Sequence, residues 1–235
     1  IHYFTLAANQ NHLNALYYLG MIYSINLYNI QDIEKAIHYF TLAANQNHSY
    51  SQFSLGLIYL DDYAIKDIKK GVSFIILASR NGLTEANFVH AFLLHEGKNI
   101  KKNIEEAIHY YKEASSFNDQ YAKNNLGIIY KHGYNGIKGN VENAIVYFEE
   151  AIRQKEDYLS MYNLAHILIY DETIKRDINK SIELLIKSSN KFQYSFNLLC
   201  IALIKQFGFN IEIIKQEILK IKNVTEDILA EINHH

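Results

Sequence analysis

Apolar residues recur along this chain in two alternating helical phases. Ala15, Leu16, Leu19, Ile22 and Tyr23 follow the i, i+3, i+4, i+7 spacing of one helical face. A second stretch, Asp32-Ile33-Glu34-Lys35-Ala36-Ile37, opens on a residue suited to capping and continues as a helical run. Asp67, Asn103, Asn140 and Asp177 occupy the place of Asp32, and Ile68, Ile104, Val141 and Ile178 follow them as Ile33 does. Asp or Asn there can accept the orphan N–H groups of the first turn, and the apolar residue after it reads as core. Short polar loops such as Tyr28-Asn29-Ile30 and Tyr134-Asn135-Gly136 separate the two phases. The pattern predicts a helix–loop–helix unit.

The unit repeats. Residues 1–12 and 37–48 both read IHYFTLAANQNH, an offset of 36. Degenerate copies follow. The first helix of each unit carries a small residue, Gly20, Gly56, Ala91, Gly127, Ala165 and Cys200, at intervals of 35 to 38. The second carries Ala43, Ala78, Ala114, Ala151 and Ser188, each preceded by a bulky pair such as Tyr39-Phe40 or Tyr147-Phe148. A glycine inside a helix costs about 1 kcal/mol relative to alanine. Its recurrence therefore predicts close approach of the partner helix, with the small residue of the second helix as its expected counterpart. One amphipathic pair cannot bury its own apolar face, whereas stacked pairs bury a continuous core. The expected fold is all-α: a right-handed α/α superhelical solenoid of stacked antiparallel helix pairs. At about 9–10 Å per neighbour it would be roughly 50–60 Å long.

These residues resemble a known family. A-x-x-x-L-G-x-x-Y occurs as Ala15–Leu19-Gly20–Tyr23 and Ala122–Leu126-Gly127–Tyr130, and with Ser51 for Ala as Ser51–Leu55-Gly56–Tyr59. A-I-x-x-[YF]-x-x-x-A occurs as Ala36-Ile37–Phe40–Ala44 and, shifted at its end, as Ala107-Ile108–Tyr111–Ala114. Together they resemble Sel1-like repeats, relatives of the tetratricopeptide repeat. The match weakens at His90-Ala91, Leu164-Ala165 and Leu199-Cys200. The domain reading is one array over 1–222, opening on a second-half helix at 1–11, then a capping helix or tail at 223–235. The missing methionine and missing first-half partner mark the chain as an expected fragment of a longer protein. The resemblance implies a non-enzymatic scaffold or adaptor that binds partner proteins. The alternative it implies is a regulatory repeat region joined to a catalytic, kinase-like domain outside this chain.

By analogy with tetratricopeptide repeats, two first-helix positions line the concave face: three residues before the small residue and one after it. They are Tyr17 and Met21, Phe53 and Leu57, Phe88 and Phe92, Asn124 and Ile128, Tyr162 and His166, and Asn197 and Ile201. The expected ligand is a peptide or helix anchored on aromatic residues, with Asn124 clamping its backbone. The competing reading places the first of each pair, Phe53, Phe88 and Tyr162 among them, in packing between helices.

Composition narrows the rest. With 49% hydrophobic and 20% charged residues and a net charge of -2, the chain is a folded protein without the basic footprint of a nucleic-acid binder. No apolar run reaches the roughly 18–20 residues of a membrane span. One cysteine excludes an internal disulfide. With no membrane segment, it favours a cytoplasmic location. Neither a cofactor nor a metal is expected. His2, His38 and His109 recur at one exposed-looking repeat position, and His90 and His95 lie off the spacing of a helical zinc pair. Cys200 occupies the small core position. The pairs Asp61-Asp62, Glu105-Glu106 and Glu149-Glu150 read as solvated faces. Gly133, Gly136 and Gly139 lack the Gly-Lys-Ser/Thr of a phosphate loop and read as an extended connection. Lys66, Lys69, Lys70, Lys98, Lys101, Lys102, Lys131, Lys138, Lys175 and Arg176 gather near the loops within units, as a solvated rim or an edge for acidic partners. Asn47-His48-Ser49 and Asn223-Val224-Thr225 are glycosylation sequons. Tyr3, Phe4 and Leu6 offer a surface for self-association.

Overall fold

The computed structural model of the chain describes residues 1–25, 31–61, 66–189, 191, 193–208 and 210–219. Among these, the backbone forms thirteen α-helices and no strand. They are α1 His2–Asn9, α2 Leu13–Ser24, α3 Ile33–Ala44, α4 Ser49–Asp61, α5 Ile68–Arg80, α6 Thr84–Glu96, α7 Ile104–Ser116, α8 Gln120–His132, α9 Val141–Lys155, α10 Tyr158–Tyr170, α11 Ile178–Ser189, α12 Gln193–Phe207 and α13 Ile211–Leu219. Even-numbered helices from α2 to α12 are the first-half pattern, and odd-numbered helices from α1 to α11 are the second. The chain divides into two compact units, Ile1–Phe117 and Asn118–His235. The loop at Tyr28-Asn29-Ile30, residue Asp62 and the tail at 223–235 lie outside the described residues, as does the sequon at Asn223.

Local chemistry sets the helix ends. The side chains of Asp32, Asp67, Asn103, Asn140 and Asp177 accept from the N–H groups of Lys35, Lys70, Glu106, Asn143 and Lys180, at 2.8–3.2 Å. Asp119 and Asp157 do the same for Ala122 and Ser160 at the starts of α8 and α10, both at 2.8 Å. At the other end the chain turns through the left-handed region at Asn11, Asn47, Gly82 and Asn118, with φ between 58° and 81°. Glycine and asparagine tolerate that conformation best. Thus α1 stops at Asn9, short of residue 11: the N–H groups of Asn11 and His12 bond back to Ala8 and Ala7. Asn47 and His48, and Gly82 and Leu83, repeat this pairing.

Each pair closes on the small residue. A Cβ on Gly20 would lie 2.5 Å from Cδ1 of Phe40, one on Gly56 2.6 Å from Ile75, and one on Gly127 2.6 Å from Phe148. The counterpart is therefore the second residue of the bulky pair, three before the second-helix alanine, and not that alanine as expected. The alanines Ala43, Ala78, Ala114 and Ala151 are buried as well, against other neighbours. Phe40, Ile75 and Phe148 are fully buried, each worth roughly 1.5–3 kcal/mol. Flat aromatic stacks flank the contact: Tyr23 on Tyr39, Tyr59 on Phe74 and Tyr130 on Tyr147, with planes within 9°. A backbone tie recurs five times. The N–H of each capping residue, Asp32, Asp67, Asn103, Asn140 and Asp177, donates to the carbonyl three residues after the small position, on Tyr23, Tyr59, Leu94, Tyr130 and Leu168. These ties span 2.7–3.2 Å.

Buried polar groups tie helices together within and between pairs. Within the first unit, Gln52 donates to the Ala44 carbonyl at 3.2 Å and accepts from Asn81 at 2.8 Å. Ser79 Oγ donates to Asn87 Oδ1 at 2.7 Å, and Asn87 donates to Glu113 at 3.1 Å. With its hydroxyl proton committed to Asn87, Ser79 Oγ can accept from Nδ1 of His90, 3.2 Å away. Within the second unit, buried Lys123 lies 3.8 Å from Glu150.

Two outcomes follow. Gly127→Leu would drive a side chain into the Phe148 ring and should cost about 3 kcal/mol or more, read as a lower urea midpoint. Burial also holds the His90 imidazole below its ordinary pKa of 6.5. The unfolded chain then binds more protons at acidic pH, so stability present above about pH 6.5 is lost as the pH falls below it. The urea midpoint should drop between pH 7.5 and 5, and His90→Gln should flatten that slope; an unchanged slope would remove His90 from the account.

Candidate functional site

The residues that build the pair contact decide what the first helices show elsewhere. In α2, Leu16, Leu19 and Gly20 are buried and Tyr23 stacks on α3, while Tyr17 and Met21 lie beside this contact, at the edge of the cluster around Phe40. In the first unit the two expected binding positions behave differently. Tyr17 is half-buried, with ring centroids of His48, Phe40 and Tyr50 at 4.9, 6.0 and 6.1 Å, and its phenol pKa is raised, first by burial and then by Tyr50. Phe53 packs against two buried clusters, one around Ile75 and one around Ala78, Leu83 and Ala86. Phe88 lies 6.0 Å from the Tyr111 ring. These three belong largely to the packing between helices. Met21 also packs on the core around Phe40 and Leu55. Leu57 and Phe92 face outward at 41% and 43% exposure.

The second unit repeats this division in part. Asn124 is 3% exposed, and its carbonyl oxygen accepts from Ser160 at 3.2 Å and Asn163 at 2.9 Å. It latches α8 to α10, and that oxygen is committed inside the fold, contrary to the expected clamp on a ligand backbone. Ile128 packs on the core around Phe148. Tyr162 and His166 are half-buried, while Asn197 and Ile201 are exposed.

Four of these positions converge. Tyr162, His166 and Tyr170 of α10 and Tyr194, Asn197, Leu198 and Ile201 of α12 line an open groove of about 470 Å³. Its floor is apolar and its walls carry tyrosines. The Lys131 ammonium lies 3.4 Å from His166 Nδ1, and the Lys205 ammonium sits over the Tyr170 ring at 5.1 Å. Burial holds both His166 and Lys131 below their ordinary pKa values, and Lys131 adds to the effect on His166. Tyr170, Tyr194, Leu198 and Lys205 were not among the expected site residues. The signal was available for Tyr170 and Lys205, each one helical turn beyond an expected position, four residues after His166 and Ile201.

Other candidates resolve into structure. Among the described residues no group of three or more His, Cys, Asp or Glu side chains is placed to hold a metal ion, and no helix is long and apolar enough to cross a membrane. Burial raises the Cys200 thiol pKa, which keeps it protonated. Glu149 and Glu150 are not simply a solvated face: Glu149 accepts from Lys180 at 2.7 Å and Glu150 faces Lys123. At Gly133 and Gly139 a side chain would strike the backbone carbonyls of Ile137 and Lys131, so these glycines close the connection between α8 and α9. The lysines near the loops are exposed, except for half-buried Lys131. Packing and groove positions separate on stability. Phe53→Ala should cost about 2–4 kcal/mol and Leu57→Ala no more than about 0.5 kcal/mol, compared by urea denaturation.

The comparisons with known proteins agree with this architecture. A Sel1 repeat model matches residues 1–12, 13–48, 49–83, 84–116, 120–156 and 159–191. A protective antigen of uropathogenic Escherichia coli with an SLR fold superposes with a TM-score of 0.78 at 22% identity, over 87% of this chain and 44% of that one. A Sel1 repeat protein from Oxalobacter formigenes gives a TM-score of 0.76 at 25% identity, over 86% of this chain and 82% of that one. This chain thus spans less than half the length of the first. No curated protein matches it by sequence. With helix pairs throughout the described residues and six matched repeats covering most of its length, the chain belongs to the Sel1 repeat family.

Proposed function

We propose that the chain is a non-enzymatic protein-interaction scaffold that holds a peptide or helix of a partner protein on the outward face of its first helices. The observation that carries this reading is the groove between α10 and α12, where the repeat-equivalent positions Tyr162, His166, Asn197 and Ile201 meet. Tyrosine offers a large, stiff, amphipathic contact that loses little rotamer entropy on binding, and such side chains dominate interface energetics. Membership of a family of interaction repeats supports the same reading.

Affinity capture from a lysate of the source organism tests it. The wild-type chain is compared with a Tyr194→Ala, Ile201→Asp variant that keeps its melting temperature. A protein retained by the wild type and lost by the variant is the expected result. Equal retention by both would remove the groove as the binding surface.

A further inference from the structure

We infer that the groove between α10 and α12 takes an acidic peptide segment, its apolar side chain on Leu198 and Ile201 and its carboxylates on Lys131 and Lys205. This rests on the scaffold reading and adds the chemistry of the ligand. None of the groove-lining side chains is a carboxylate, whereas an ammonium lies beside each of two of them, His166 and Tyr170. Other lysines of this fold pair with acids: Lys35 with Asp32, Lys123 with Glu150 and Lys180 with Glu149. Among the described residues, neither Lys131 nor Lys205 has a carboxylate within salt-bridge distance. The acid whose charge acts on Lys131 is Asp171, and its carboxylate already accepts from the N–H and hydroxyl of Thr173.

Lys131 is half-buried, so a carboxylate arriving there meets a weakly screened charge, where an ion pair counts for more than one in open water. Lys205 stands over an aromatic face that a ligand would further desolvate. A basic or neutral segment would leave these cations unpaired beneath it, a cost that selects for acid. Asn197, exposed at the groove, has an amide suited to the ligand backbone.

A random dodecapeptide phage library, panned on the whole chain and counter-selected on Ile201→Asp, tests the inference. The peptides recovered are then synthesised with fluorescein and titrated by anisotropy. The expected result is enrichment of Asp and Glu beside an apolar residue. Affinity should fall by about tenfold in Lys131→Met, Lys205→Met, recover in Lys131→Arg, Lys205→Arg, and weaken from low to high salt. Peptides that distinguish wild type from Ile201→Asp but are neutral or basic, or bind the methionine variant equally well, would overturn the acidic ligand and leave the groove reading standing. No peptide that distinguishes wild type from Ile201→Asp would overturn both. Lys205→Met alone, at an exposed position, serves if the double variant melts early.

Discussion

The structure depends on two helices approaching closely enough for a bulky side chain of one to lie on a bare patch of the other. Phe40 on Gly20, Ile75 on Gly56 and Phe148 on Gly127 are three versions of one contact. The first helix accepts the conformational penalty of an interior glycine because the ring or branched chain above it is completely buried. The short separation also brings the start of the second helix to the end of the first, where five capping residues donate their N–H groups to the carbonyl three places beyond the small residue. A longer separation would break that tie, so packing and backbone hydrogen bonding here form one cooperative arrangement.

Polar contacts within and between pairs follow a different logic. The residue four before the small position is Gln52, Asn87 and Lys123 in three repeats, and Leu16 or Met161 in others. The polar versions find partners in the second half of the same pair, Asn81, Glu113 and Glu150, and Gln52 and Asn87 also reach the preceding pair at the Ala44 carbonyl and Ser79. An apolar side chain at this position can slide, whereas an amide or ammonium left unpaired costs free energy. The polar contacts therefore hold the register of the stack. Asn124 adds to this by accepting from both Ser160 and Asn163 across consecutive repeats of the second unit.

The outward face is what remains once these two sets of contacts are satisfied. In most repeats the residue three before the small position is drawn into packing by its bulk, as Phe53 and Phe88 are. The residue one after it stays at the surface in Leu57, Phe92 and Ile201. In the second unit the face deepens into a groove where α10 presents Tyr162, His166 and Tyr170 opposite the corresponding turns of α12. Lys131 and Lys205 stand at its edge, each beside an aromatic group and, among the described residues, outside salt-bridge distance of a carboxylate.

By itself, the sequence determined the helix-pair repeat, its period, the five second-helix caps and the need for a close contact at the glycines. Those properties are local, or recur at fixed intervals, and periodicity with capping chemistry carries them. Tertiary structure alone decided that Phe40, Ile75 and Phe148, and not the neighbouring alanines, receive the glycines, because the side chain that fills a gap depends on the rotation of both helices. It alone decided that Asn124 turns inward to Ser160 and Asn163, and that Tyr194 and Leu198 join Tyr162 and His166 at one groove. Residues some 35 positions apart meet there, and no pattern confined to a single repeat can encode which neighbours they find.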